Sequence, residues 1–297
     1  PGLTLGDKQT VTRALLGCGA TIHEINTIRK HLSAIKGGRL AKAVYPAAMA
    51  CLILSDVVGD DLDIISSGPA TADPGTFDTC LAIIEKYGIT DQVPGTVMAF
   101  LEKGARGEVP ETPKPGDPVF DRVSHTIVAA NFKALAAAAA RAEALGYAPL
   151  VLSAMIEGET RDVAGVHAAI ARQAALTSDP VNAPACILSG GETTVTLKGD
   201  GKGGRNQEFV LAAAMGIQGL ERVVVLSAGT DGTDGPTDAA GALADGTTIH
   251  RALSAGLDPL HHLDANNAYP FFDSLGDLIR TGATNTNVMD VRLVLLG

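Results

Sequence analysis

Short, solid apolar runs alternate with segments of helical period along the whole chain, and this alternation restricts the fold more than any other feature. "AAMACLILSDVV" is one such run, and it stops abruptly at Ser55-Asp56, as a buried parallel strand does where it leaves its sheet. Upstream, Thr4 and Asp7 have capping-box spacing ahead of one predicted helix. Ile22, Ile25, Ile28, Leu32 and Ile35 recur at helical steps in a second. A short helix is expected to end before Pro46, and "TFDTCLAIIEKYGI" and "VPGTVMAFLEKGA" predict two more. "HTIVAAN", "FKALAAAAARAEALG" and "APLVLSA" predict strand, helix and strand, followed by an Ala-rich helix from about Arg161 to Leu176. After "TSDPVNAPA" come predicted strands in "CILSGG" and "TTVTLKG", a helix from about Arg205, a strand in "RVVVLSAG", helices to about Gly276, and a last strand in "NVMDVRLVLL". Such alternation in both halves predicts an α/β protein of two α/β domains. The proline-rich stretch 178–184 is the expected linker between a domain at 1–177 and another at 185–297.

A length of 297 residues suits two domains, and 46% hydrophobic residues supply their cores. No apolar run reaches the roughly 18 residues of a membrane span, and no secretory signal pattern is present. The net charge of −10 argues against a nucleic-acid surface, whose phosphates would be repelled. Cys18, Cys51, Cys80 and Cys186 have no zinc or redox spacing, and a cytosolic compartment is expected.

"KGDGKGGRNQEF" carries Gly199, Gly201 and Gly204 in the G-x-G-x-x-G pattern of dinucleotide sites. A dinucleotide loop follows a buried parallel strand, and the half-polar "TTVTL" does not read as one. Glu221, at the right offset for the ribose acid, lies before its strand instead of after it. A Walker A loop is excluded because Gly203 follows Lys202. Gly201, Gly203 and Gly204 still leave backbone N–H groups open to close approach ahead of a helix N-terminus, and Arg205 adds a phosphate fork. A flexible turn into a surface helix explains the same residues equally well.

Asp56, Asp60 and Asp61 lie just beyond a predicted strand, where open α/β sheets bind ligands. Asp231, Asp234 and Asp238 crowd a glycine-rich loop that does not fit an EF-hand but suits magnesium–phosphate chemistry. Arg29, Lys30, His31, Lys36 and Arg39 form a local cationic patch, either a solvated helix face or a site for a carboxylate or phosphate.

"IRKHLSAIKGGRLA", "SDVVGDDLDIISSGPATADPGT", "SGGETTVTLKGDGKGGRNQE", "GTDGTDGPTDAAGA" and "NTNVMDVRLVLL" together resemble, in order, the class II glycerate kinases with a C-terminal MOFRL domain. The resemblance implies an incomplete Rossmann-like parallel-sheet domain followed by a mixed-sheet MOFRL domain. It also implies ATP- and Mg²⁺-dependent phosphorylation of D-glycerate to 2-phosphoglycerate at an interdomain cleft. NAD(P)H-dependent hydroxypyruvate reduction, an older label in this family, is the alternative, and a non-catalytic binding fragment is a third reading. Glycerate and ATP are the implied small-molecule partners, and a homodimer stays an open option. The implied catalytic residues are Arg205, Asp231 and Asp56. The implied substrate and phosphate contacts are Arg29, Lys36, Arg39, Ser189, Gly190, Gly191, Glu192, Thr193, Gly201, Gly203, Gly204, Asn206 and Glu208. Asp60 and Asp234 are the implied metal ligands, with the split between base and ligand open among the aspartates. Members of the family extend upstream through S-G-G-G-S-A-L-L, so this chain resembles a C-terminal portion and is expected to be inactive alone. Asn267-Ala268 and Asn285 depart from an expected Asn-Asp-Ser and an expected glycine, which bears on local loop geometry.

Overall fold

A computed structural model describes residues 2–297 and divides into two compact units. The first comprises residues up to Ile53 together with Asp60–Ile127; the second comprises Leu54–Gly59 and Val128–Gly297.

The first unit begins with α1 (Leu5–Gly17), α2 (Ile22–His31) and α3 (Arg39–Val44). Thr4 and Asp7 form the expected capping box of α1, and Thr21 and Glu24 form another on α2. The apolar stripe predicted to reach Ile35 stops earlier, because the chain leaves the helix after His31 and Ile35 is exposed. Strand β1 (Met49–Leu54) precedes α4 (Phe77–Lys86), α5 (Gly95–Ala105) and β2 (Val123–Ala129). Val11, Leu15, Ile25, Ile28, Phe77, Ile84, Val97 and Leu101 close one core between α1, α2, α4 and α5. β1 and β2 pair alone as a parallel ribbon, with Met49 N–H donating to Arg122 and Ser55 N–H to Ala129. The β1 run reads as a strand buried on both faces. With a single partner strand it instead alternates half-buried and exposed positions, and Leu52 is 75% exposed.

The second unit continues with α6 (Asn131–Ala144), β3 (Ala148–Ile156), α7 (Thr160–Thr177), β4 (Ala185–Gly191) and α8 (Arg205–Gly216). Then come β5 (Val223–Gly229), β6 (Gly241–Asp245), α9 (Thr248–Ser254), α10 (Pro259–Asp264), α11 (Ala268–Leu275), β7 (Leu278–Ile279) and β8 (Asp290–Leu296). Six strands form a mixed sheet in the order β3-β4-β8-β5-β6-β7. β3 and β4 are parallel, joined by α7 as a crossover, and the other pairings are antiparallel. Residues 178–184 therefore connect α7 to β4 inside this unit, and the compact units cut the chain elsewhere than the expected 178–184 linker. "TTVTL" makes no strand, only an isolated bridge between Thr194 and Glu159, consistent with its polar character.

Helices cover both faces of this sheet. The alanines of α7 and Phe209, Val210 and Leu211 of α8 bury one face with Val294 and Leu296; Leu135 and Ala142 of α6 bury the other with Cys186, Leu188, Leu293 and Leu295. The fold is thus α/β, with a small parallel sheet near the N-terminus and a six-stranded mixed sheet towards the C-terminus. Among the described residues no helix is long and apolar enough to cross a membrane.

Candidate functional site

The site grows from β8. Its residues facing α8 are Asp290, Arg292, Val294 and Leu296, so two charged side chains occupy positions that strand alternation would fill with apolar ones. Both are buried, and they survive there because they are paired. Arg205, the first residue of α8, donates from Nε and Nη2 to Asp290 Oδ2 and Oδ1 at 2.7 and 3.0 Å. Asn206 Nδ2 donates to Oδ1 at 2.9 Å and Arg292 Nη2 to Oδ2 at 3.1 Å. One carboxylate thus receives four charged or polar donors. The Arg292 guanidinium also lies over the Phe209 ring, at 5.4 Å from its centroid, while its Nε and Nη1 find no partner.

The third edge of Arg205 faces Glu192, with Nη1 3.0 Å from Oε1. Burial opposes the charge of Arg205, but the bonds to Asp290 and the fields of Glu192 and Asp234 hold its pKa above the ordinary arginine value. Burial pushes the Glu192 carboxyl up, Arg205 pulls it back, and Asp290, Asp56 and Glu157 push it up again. The charge of Asp56 thus acts on Glu192. Asp56 and Asp231 line one cavity of about 380 Å³ with Leu54, Asn285, Thr286 and Asn287. Asn285, standing where a glycine was expected, takes a left-handed φ of 59°, which asparagine tolerates. Asp231 is oriented by Thr233, whose N–H and hydroxyl each donate to one carboxylate oxygen at 3.0 Å.

The glycine loop is held by the protein itself. Lys198 and Gly199 N–H donate to Asn266 Oδ1, Gly201 N–H to the Ala265 carbonyl, and Lys202 N–H to Asn267 Oδ1. A Cβ on Gly201 would lie 2.4 Å from the Ala265 oxygen, so the glycines admit the 265–267 turn. Gly203 lies against the same turn, and a Cβ on Gly204 would meet Asp234. The N-terminus of α8 is likewise filled: Asn206 and Gln207 N–H donate to the two oxygens of Asp234 at 3.0 and 2.9 Å. Asp234, expected as a metal ligand, spends its carboxylate as the cap of α8. Burial raises its pKa to about 6 against those N–H bonds.

The remaining expected residues separate clearly. Ser189 is buried and donates to His167 Nε2, since His167 Nδ1 must carry the proton given to the Val163 carbonyl. Burial lowers the His167 pKa. Gly190 and Gly191 lie in β4 beneath Asn131 and Ile156, and Thr193 bonds Thr160 and Arg292. Glu208 accepts from Arg161 at 2.7 Å and from Asn266 at 3.0 Å, a structural tie. Asp60 belongs to the first unit, in a left-handed turn. Arg29 and Lys36 line a groove of that unit, whereas Arg39 lines a different cavity with His31 and Lys42. Unit two thus gathers Asp56, Glu192, Arg205 and Asp231 together with Asp290 and Arg292, which motif reading overlooked.

Residues 1–102 match the family described as a domain of unknown function (DUF4147), and residues 185–290 match the MOFRL family. A D-glycerate 2-kinase of Thermotoga maritima is 41% identical over 99% of this chain and 68% of its own length. The chain belongs to the glycerate 2-kinase/MOFRL family. A crystal structure of Thermotoga maritima glycerate kinase superposes on this glycerate 2-kinase/MOFRL chain with a TM-score of 0.90 at 40% identity, covering 100% of this chain and 68% of that one. An Agrobacterium vitis protein with a provisional hydroxypyruvate reductase name is 48% identical over 99% of this chain and 66% of its own length. A Pyrococcus horikoshii glycerate 2-kinase is 42% identical with the same coverage. This chain therefore spans about two thirds of the length of these relatives.

Proposed function

We propose that the protein to which this chain belongs phosphorylates D-glycerate to 2-phosphoglycerate at the expense of ATP, with the chemistry carried by the second unit. The observation behind this reading is a charged Arg205, locked by Asp290 and paired with a Glu192 that feels the charge of Asp56, which with Asp231 lines a cavity of the same unit. Phosphoryl transfer needs positioning and charge stabilisation more than covalent help. The Nε and Nη2 edge of Arg205 is fixed on Asp290, while its Nη1 edge meets the half-exposed Glu192. Glu192 is the replaceable partner: a phosphoryl oxygen takes its place on Nη1 as negative charge builds there.

Asp56 and Asp231 are the residues that would hold a magnesium ion, an ion for which hard oxygen donors from one or two carboxylates suffice. When bound, magnesium would neutralise phosphate charge. One of the same two carboxylates would accept the proton leaving the attacking glycerate hydroxyl. The γ-phosphoryl group passes from the β,γ-bridging oxygen of ATP to that hydroxyl oxygen, and ADP leaves with the bridging oxygen. The reductase reading has less support, since the loop N–H groups it would use for a dinucleotide are engaged with residues 265–267.

The test is ³¹P NMR on a protein of the full length of its relatives, supplied with ATP, Mg²⁺ and D-glycerate. A 2-phosphoglycerate signal that vanishes in Arg205→Ala is expected. No phosphoester, with NADH consumed on hydroxypyruvate instead, sinks the reading.

A further inference from the structure

Asp290 and Arg292 share one face of β8, and the strands on either side make room for them. Gly191 and Gly229 stand opposite Asp290, and Ser189 and Ser227 stand opposite Arg292, so no bulky cross-strand neighbour crowds either charge. Neither serine serves Arg292: Ser189 donates to His167 Nε2 and Ser227 to Asn206 Oδ1. The Nη2 group of Arg292 is engaged, on Asp290 Oδ2 at 3.1 Å and on Thr193 Oγ1 at 3.2 Å. Among the described residues Asp290 is the one carboxylate within ion-pair distance of it.

This guanidinium is a poor stabiliser of the fold. It is buried, its Nε and Nη1 find no partner, and burial lowers its pKa against the pull of Asp290. Every group it touches has another partner. Asp290 Oδ2 keeps Arg205 Nε, Oδ1 keeps Arg205 Nη2 and Asn206 Nδ2, and Thr193 keeps Thr160. An apolar side chain of similar length in its place would therefore orphan no buried acceptor, and such exchanges are often neutral or stabilising. A buried charge kept without a return in stability marks a functional position.

The use of Arg292 lies in the oxygen it shares. Arg205 Nε and Arg292 Nη2 converge on Asp290 Oδ2, at 2.7 and 3.1 Å. Arg205 and Asp290 alone would carry no net charge; with Arg292 the three carry one positive charge. In a site shielded from water that charge is felt at the open side of Arg205, where Nη1 meets Glu192. We propose that Arg292 is a positioning residue for phosphoryl transfer: it holds the shared oxygen of Asp290 and offsets its charge, so that Arg205 keeps its Nη1 edge positive and aimed at the phosphoryl oxygen that replaces Glu192. That role rests on the phosphoryl-transfer reading above.

The test uses a protein of the full length of its relatives, supplied with ATP, Mg²⁺ and D-glycerate. Arg292→Met should lower kcat about tenfold with KM nearly unchanged, a smaller loss than removal of a donor that touches the reacting atoms. Its melting temperature should stay the same or rise. Arg292→Lys, which returns the charge, should recover part of the lost turnover. Should Arg292→Met fail to fold, Arg292→Gln makes the same kinetic comparison with a polar, uncharged side chain. Full turnover in a folded, uncharged variant overturns the proposal, and so does a loss of turnover that only follows a loss of melting temperature. Selective ¹⁵N-arginine labelling reads the Arg205 Nε–H directly, assigned by its disappearance in Arg205→Ala. This resonance should move downfield in Arg292→Met, as Asp290 Oδ2 turns to Arg205 alone. An unmoved resonance overturns the hold of Arg292 on Arg205 and leaves the kinase reading standing. A wild type that makes no 2-phosphoglycerate overturns the kinase reading and the part of Arg292 in transfer, while a moved resonance then still supports its hold on Arg205.

Discussion

Arg205 and Asp290 face each other edge to edge, two nitrogens against two oxygens at 2.7 and 3.0 Å, one residue opening α8 and the other opening β8. The aspartate has no exposed surface, whereas a third of the arginine side chain is open. The pair thus anchors the guanidinium on its buried side and presents its remaining edge outward. Asp290→Asn should cost about 3–5 kcal/mol, since it leaves the buried Arg292 without its paired carboxylate and Arg205 with only Glu192 in contact. Urea unfolding of both proteins at neutral pH measures this, and a loss under about 1 kcal/mol would place the pair among weak surface bridges.

Arg205→Lys keeps a charge but loses the fork. In the full-length enzyme we expect turnover to fall by a hundredfold or more, with a much smaller change in KM, as when one transition-state donor is removed. Steady-state kinetics decide it; turnover within a few-fold of wild type would assign the arginine a structural part only.

Asp234 couples the end of α8 to pH. Folded, it keeps its proton up to about pH 6, whereas an ordinary aspartate releases it near 3.8. Between those values the folded chain holds more protons, so stability falls as pH rises through the window, with no further slope outside it. Relative to Asp234→Asn, wild type should lose up to about 3 kcal/mol between pH 4 and 6, the neutral amide lacking this cost. Denaturation of the two proteins across that range gives the difference directly, and a flat or rising difference contradicts it.

Gly201 and Gly203 should behave differently. An alanine at Gly201 drives its Cβ to 2.4 Å from the Ala265 carbonyl, while at Gly203 the nearest atom lies at 3.3 Å. We expect about 1–3 kcal/mol lost for Gly201→Ala and well under 1 kcal/mol for Gly203→Ala. Thermal unfolding compares them; equal losses would mean the loop is not clamped by the 265–267 turn.

Much of this arrangement is legible in the chain. Capping boxes at Thr4 and Thr21, the helix starting at Arg205 and the last strand follow from local spacing. The roles of the polar residues are less so. Glycine spacing in 199–204 suggests a ligand loop, but the same spacing is required by a close backbone turn 65 to 68 residues away, which no local pattern reveals. Asp234 sits among aspartates suited to a metal, yet the nearness of the α8 N-terminus decides its use. Asp290 and Arg292 carry a readable signal, charge on the inward positions of an alternating strand, which motif reading passes over.

The position of β8 has a consequence for how the molecule comes into being. The most C-terminal strand of this unit is central in its sheet, bonded to β4 on one side and β5 on the other. Until it emerges from the ribosome, β3–β4 and β5–β6–β7 are separate fragments with open, apolar edges. The same late segment brings Asp290, so the anchor for Arg205 arrives only when the sheet closes. Assembly of the candidate catalytic centre and completion of the second unit are a single event.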